Sequence, residues 1–151
     1  MQLGSGTHDL HPALTWENGR GPVNWGGQVR AILRLGENDE DYRLGHEAAL
    51  SGWLSYRAAP WISYSARLEY RYADRIHGRD PQIMGPSLGA DPRNYGGHYI
   101  TLHAGADIAP KRGALKGHRI GLELGLPLYQ DLNGVQSKTD WVLALAWRKP
   151  F

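Results

Sequence analysis

The sequence predicts an all-β fold, an antiparallel up-and-down meander of seven or eight long strands. Three observations predict it. Apolar and polar residues alternate with a period of two in about seven separate runs. The runs are divided by segments rich in Gly, Pro, Asn and Asp, residues that favour turns. No run of roughly 18 apolar residues offers a transmembrane helix.

The runs can be taken in order. In Leu10 to Trp16, Leu10, Leu14 and Trp16 oppose His11 and Thr15. In Trp25 to Leu35, Val29, Ala31, Leu33 and Leu35 oppose Gln28, Arg30 and Arg34. In Glu47 to Arg57, Ala48, Leu50, Leu54 and Tyr56 oppose Glu47, Ser51, Ser55 and Arg57, with Trp53 on the polar side. In Trp61 to Tyr72, Ile62, Tyr64, Ala66, Leu68, Tyr70 and Tyr72 oppose Ser63, Ser65, Arg67, Glu69 and Arg71. In Tyr99 to Ile108, Ile100, Leu102, Ala104, Ala106 and Ile108 oppose Tyr99, Thr101, His103 and Asp107. Arg119 to Tyr129 is the clearest: Ile120, Leu122, Leu124, Leu126 and Leu128 oppose Arg119, Gly121, Glu123, Gly125 and Pro127. A helix would scatter those leucines around its circumference. The last run sets Trp141, Leu143, Leu145 and Trp147 against Val142, Ala144, Ala146 and Arg148.

Length and composition extend the prediction to a transmembrane β-barrel or part of one. The runs are about 7 to 13 residues long, whereas a tilted membrane strand needs roughly 9–11 and soluble strands cluster near 5–6. The aromatics are eight Tyr, six Trp and one Phe. Tyr and Trp carry a polar handle and suit the boundary between lipid and water. Mean hydropathy is −0.51. A barrel scores this low because every second residue faces a polar lumen.

At 151 residues the chain is read as a single domain, residues 1–151. Cysteine is absent, which removes disulfides and thiolate metal sites. The net charge of +2 is spread along the chain, so nucleic acid is not expected as a partner. Met1 to Gly6 has neither a basic start nor an apolar stretch. An outer-membrane protein needs a signal peptide, so the chain is read as a mature form or as the C-terminal portion of a larger barrel.

The connections alternate in length. Segments 19–22 and 58–60 are short and 110–117 is intermediate and basic; segments 37–43, 73–97 and 130–139 are longer or more polar. Short turns are periplasmic and long loops external in such barrels, which assigns the first set to the periplasm. Seven strands would put the two ends on opposite sides, although single-chain bacterial barrels have even strand numbers. An extra strand in residues 1–8, or missing upstream strands, would resolve this, and the second is preferred.

Two segments, Gln2-Leu-Gly-Ser-Gly-Thr-His-Asp-Leu and Gly113-Ala-Leu-Lys-Gly-His-Arg-Ile-Gly-Leu-Glu-Leu-Gly-Leu-Pro-Leu-Tyr-Gln-Asp-Leu, carry a resemblance. The sequence resembles the outer-membrane transporters associated with the meta-cleavage pathway of phenol degradation. Those proteins are longer, begin with a signal peptide and end in an aromatic residue. The resemblance runs from residue 2 to Phe151 and would match a C-terminal portion. It implies location in the bacterial outer membrane and passage of small molecules, aromatic ones being candidates.

Candidate functional residues follow from the faces. Arg30, Arg34, Glu47, Arg67, Glu69, Arg71, Asp107, Arg119, Glu123 and Arg148 are expected to face a lumen, as a selectivity lining or as a salt-bridge filling of a narrow barrel. Leu122, Leu124, Leu126, Trp141, Leu143, Leu145 and Trp147 are expected to face lipid. Trp147 and the terminal Phe151 resemble the signal read by the barrel-assembly machinery, the expected protein partner beside outer-membrane lipid and a small-molecule solute. His8 with His11, and His98 with His103, lack convergent metal-ligand geometry. Glu37-Asn-Asp-Glu-Asp lacks calcium-loop spacing. His103 with Ser63 or Ser65 could meet across strands as in a hydrolase, but nothing in the spacing requires it. The expected function is therefore a non-enzymatic outer-membrane channel or transporter without a cofactor. A soluble, lipocalin-like ligand-binding barrel with the leucines inside is the alternative, as is a structural anchor with a filled lumen.

Overall fold

Each predicted alternating run finds an antiparallel neighbour, because a strand that presents one apolar and one polar face can satisfy its backbone only by pairing at its edges. The computed structural model describes residues 5–83 and 87–149. Its strands are β1 (His8–Leu10), β2 (Ala13–Arg20), β3 (Val23–Leu35), β4 (Tyr42–Arg43), β5 (Glu47–Ala59), β6 (Ile62–Ala73), β7 (His77–Gly78), β8 (Gly97–Ile108), β9 (Arg119–Leu132) and β10 (Val142–Arg148). Two single-turn 3-10 helices, Leu88–Ala90 and Pro92–Asn94, interrupt the longest loop. No α-helix occurs among the described residues.

The main sheet runs β1-β3-β5-β6-β8-β9-β10, with β2 also on β3. Leu10 pairs with Leu33 and Ala13 with Arg30, so β1 and β2 keep one continuous register on β3. The gap falls at His11–Pro12. Proline has no N–H to give the ladder, yet its carbonyl still accepts from Ala31 N at 3.0 Å. β1 and β2 are thus one strand broken by a proline. The extra strand expected in residues 1–8 lies partly outside the described residues, at 1–4; His8, at its other end, belongs to β1, which prolongs the first run. The sheet is an open seven-step meander, with the β1/β2 strand and β10 on its two edges.

The two tightest turns, at 21–22 and 60–61, lie at the same end of the sheet as the longer β8–β9 connection, 109–118; the connections 36–46, 74–96 and 133–141 lie at the other. The β2–β3 hairpin turns on Gly21 and Pro22, and Gly21 has φ +61°. A two-residue hairpin of this kind needs a left-handed first loop residue, which glycine supplies without strain. At the far end the loops are tied together. β4 pairs with β7. Val135 N donates to Asn94 Oδ1 at 2.9 Å, Asn133 Nδ2 to the Tyr95 carbonyl at 3.1 Å, and Gln136 Nε2 to the Gly96 carbonyl at 2.7 Å.

Two irregularities interrupt the ladders. The register shifts between Arg57 and Ala59 in β5. In β9, Ile100 faces Tyr129 while Thr101 faces Pro127, which leaves Leu128 as an extra residue. Pro127 cannot donate, and a bulge is one of the few places an inner strand accepts proline. The bulge also changes which residues share a face: Leu128 and Tyr129, adjacent in sequence, are both exposed, at 61% and 51%. Simple alternation does not anticipate that. Nor does it place Trp141, which precedes β10 and lies outside the strand, although it is exposed.

The register assembles side chains into rows. One apolar row reads Trp16, Gly27, Gly52, Leu68, Leu102 and Leu126. The neighbouring polar row reads Glu17, Gly26, Trp53, Arg67, His103, Gly125 and Val142. The usual distribution of burial is inverted. Along β5 and β6 the apolar positions are mostly the exposed ones and the polar positions the more enclosed. The only hydrophobic residues buried in the described structure are Ala49 and Ala73.

Candidate functional site

The polar face is built on small residues. Glycine, serine and alanine fill many of its positions, as in the row Gly19, Asn24, Ser55, Ser65, Gly105, Glu123 and Ala144. This leaves room for long charged side chains to lie across neighbouring strands. Trp53 is the bulky exception, and it stands opposite Gly26. A Cβ at Gly26 would meet Trp53 Cζ2 at 2.5 Å, so the indole occupies the space the glycine vacates.

The pairing registers bring all ten expected lumen residues to this face. Among the described residues, all but Arg148 are ion-paired, in three groups. In the first, Arg34 binds Asp9 and lies 3.5 Å from Glu47, whose other oxygen is 3.6 Å from Arg71. Arg71 also stacks over Tyr99, 4.3 Å from the ring centre. In the second, Glu69 accepts from Arg30 at 3.5 Å and from Arg67 at 3.2 Å, and Arg67 reaches Glu123 at 2.6 Å. In the third, Arg119 holds Asp107 at 3.1 Å. Two of these pairs reach over an intervening strand, Arg30 on β3 to Glu69 on β6 and Arg67 on β6 to Glu123 on β9. Each group is close to neutral, so no single sign of charge dominates the face.

Alternation identified the members of these networks but missed three participants. Asp9 joins through β1, and its parity with His11 and Thr15 was the available signal. His103 Nδ1 lies 3.2 Å from Glu123, and its Nε2 is buried with no hydrogen-bond partner among the described residues. Tyr99 joins through its ring. The hydrolase arrangement does not form among the described residues: Ser63 stands opposite Asp107 and Ser65 opposite Gly105, and neither hydroxyl bonds to His103.

The apolar face carries an aromatic–histidine pair at each end. Tyr70 Oη and His98 Nδ1 are 2.8 Å apart at the long-loop end. Trp147 Nε1 donates to His118 Nδ1 at 2.8 Å at the short-turn end, with the rings stacked 5.5 Å apart. His98 and His103 therefore serve opposite faces. Leu122, Leu124, Leu126, Leu143, Leu145 and Trp147 share this apolar face and are exposed, from 39% at Leu124 to 74% at Leu145. Phe151, the other half of the expected assembly signal, lies outside the described residues.

The acidic turn at Glu37 to Asp41 is organised by Asn38, whose buried side chain accepts from Glu40 N at 3.0 Å and Tyr42 N at 3.1 Å. No group of three or more metal-ligating side chains occurs there or elsewhere among the described residues.

No family model, curated protein or solved structure matches the chain. The resemblance read from the sequence thus rests on its own two motifs. Part of the first leads into β1, where Ser5 and Thr7 hydroxyls donate to Asp9 at 2.8 and 2.7 Å. The second contains Pro127 and the β9 bulge.

Proposed function

We propose that this chain forms part of the wall of a bacterial outer-membrane β-barrel, with the leucine face toward lipid and the charged face toward a hydrated interior that passes small solutes. The observation that carries this reading is the inverted burial. Fully burying a leucine is worth about 1.5–3 kcal/mol. About a dozen half-exposed strand leucines would then forgo roughly 10 kcal/mol in water, comparable with the ~5–15 kcal/mol that holds a whole domain together. Lipid removes that cost. The lipocalin-like alternative needs Leu122, Leu124 and Leu143 enclosed, and they are 48%, 39% and 55% exposed.

The height of the apolar face agrees. Ile62 and Tyr72 begin and end the apolar face of β6, and the ~10 steps between them at ~3.3 Å span ~33 Å. A tilt of ~40° reduces this to ~25 Å, the height of the apolar band of such barrels. The open edges at β10 and the β1/β2 strand would pair with further strands of the wall. The short-turn end would face the periplasm, and assembly would engage the barrel-assembly machinery.

A second reading, an anchor whose interior is filled, is favoured by one observation: the inner charges neutralise one another in networks, as expected of a packed narrow barrel. Membrane fractionation of the chain expressed behind an outer-membrane signal peptide, followed by single-channel conductance, separates these. Outer-membrane recovery with steady conductance supports passage of solutes. Recovery without conductance supports the anchor. A soluble monomer rejects both.

A further inference from the structure

The meander sorts charge by end as well as by face. The acidic Glu37 to Asp41 segment is at the long-loop end, whereas the β8–β9 connection at the other end is basic, with Lys111, Arg112 and Lys116. There the β8–β9 connection and the end of β10 border an open cleft of about 920 Å³, walled largely by apolar surface, whose lining includes Lys111, Lys116, His118, Arg119, Arg148 and Lys149. Arg119 is held by Asp107. Lys111, Lys116, Arg148 and Lys149 have no ion-pair partner among the described residues.

Arg119 and Arg148 stand directly opposite each other on β9 and β10, and like charges facing across a ladder are destabilising. Asp107 offsets Arg119, which leaves Arg148 and the three lysines as the cations of the cleft that no described residue compensates. Beside them, Trp147 can only donate, so His118 Nδ1 must accept and His118 Nε2 carries the proton. The imidazole is thereby fixed as a further donor in the cleft lining.

We infer that this cleft binds a phosphate group. Arginine's planar fork and several lysines suit the multiple acceptor oxygens of phosphate better than a single carboxylate. Trp147, 66% exposed on the apolar face, stacks on His118 of the cleft lining. The phosphate of an anionic phospholipid headgroup and free inorganic phosphate share this chemistry. The lipid source rests on the membrane reading above; the site itself does not.

The test holds the full chain in an uncharged alkyl-maltoside micelle. It is titrated with dihexanoyl phosphatidylglycerol and separately with inorganic phosphate, read by indole fluorescence against a Trp147→Phe background. Saturable binding of the lipid alone identifies a headgroup site, and saturation by inorganic phosphate as well identifies a site open to solution. Either result supports the inference. Lys116→Ala with Lys149→Ala should weaken binding about 30-fold, the effect of two cations at an anionic headgroup. Lys116→Arg with Lys149→Arg should retain it, and Lys138→Ala, at the opposite end, should leave it unchanged. Absence of saturable binding by both ligands overturns the inference, as does binding indifferent to the double alanine variant. Because the micelle assay requires no bilayer insertion, a positive titration beside failed insertion would reject the membrane reading alone.

Discussion

A single lysine placed at two depths on β8 separates lipid exposure from water exposure. Leu102 and Ile108 lie on the same strand and the same face, and are exposed to nearly the same degree, 39% and 38%. If the face meets water, Leu102→Lys and Ile108→Lys are both surface changes worth within about ±0.5 kcal/mol. If it meets lipid, Leu102 lies in the central row with Leu68 and Leu126, whereas Ile108 ends the strand beside Ile62 and Ile120. A lysine costs about 2–4 kcal/mol at the midplane and about 0–1 kcal/mol near the interface. The expected difference is therefore about 2–3 kcal/mol, roughly a hundredfold in the folding equilibrium. The assay is denaturant unfolding of the chain in phospholipid vesicles, followed by tryptophan fluorescence. Equal effects at the two positions would refute lipid exposure of this face.

Further expectations concern the polar face and the loops. Gly26→Val should destabilise by about 1–3 kcal/mol in chemical unfolding, because its side chain must displace the Trp53 ring; a combined Gly26→Val and Trp53→Ala variant should recover part of that. Arg67→Ala strips one partner from both Glu69 and Glu123, and since these groups are only partly buried the cost should be about 1–2 kcal/mol by the same measurement. In the long loop, hydrogen bonds from the Arg93 guanidinium and backbone lower the Asp91 carboxyl from 3.8 to about 2. A lowered folded value means the contact contributes above pH ~3.8 and is lost as pH falls through about 2. A carboxyl NMR titration should show that midpoint, and Arg93→Ala should raise it.

The strands were legible because a period of two is imposed by the pleat itself: side chains on one face recur at every second residue whatever surrounds them. This is why β5, β6, β8 and β9 contain the alternating runs almost residue for residue. Features set by a partner strand were not legible. The β9 bulge depends on how Thr101 and Ile100 meet Pro127 and Tyr129, and alternation along β9 alone carries Leu128 without showing that Tyr129 joins it. The join of β1 to β2 depends on their shared register with β3, which no local pattern shows. The same holds for the site. Parity placed the charged residues on one face, but which arginine reaches which carboxylate is decided by side chains crossing strands. His103 and Tyr99 were therefore assigned a face without a partner. The pairing of Arg119 with Arg148, and the basic cleft around it, required the connection between β8 and β9 to be placed against the end of β10.

The orientation of the faces is tested most directly along β9. The chain contains no cysteine, so single cysteines introduced in turn from Gly121 to Tyr129 can each carry one fluorophore in phospholipid vesicles. Quenching is then compared between a lipid-bound and an aqueous quencher. Lipid exposure of the leucine face predicts lipid quenching at Leu122, Leu124 and Leu126, aqueous quenching at Gly121, Glu123 and Gly125, and lipid quenching at both Leu128 and Tyr129, where the bulge breaks the period. Aqueous quenching at every position, or the opposite phase with the leucines shielded from lipid, would contradict it.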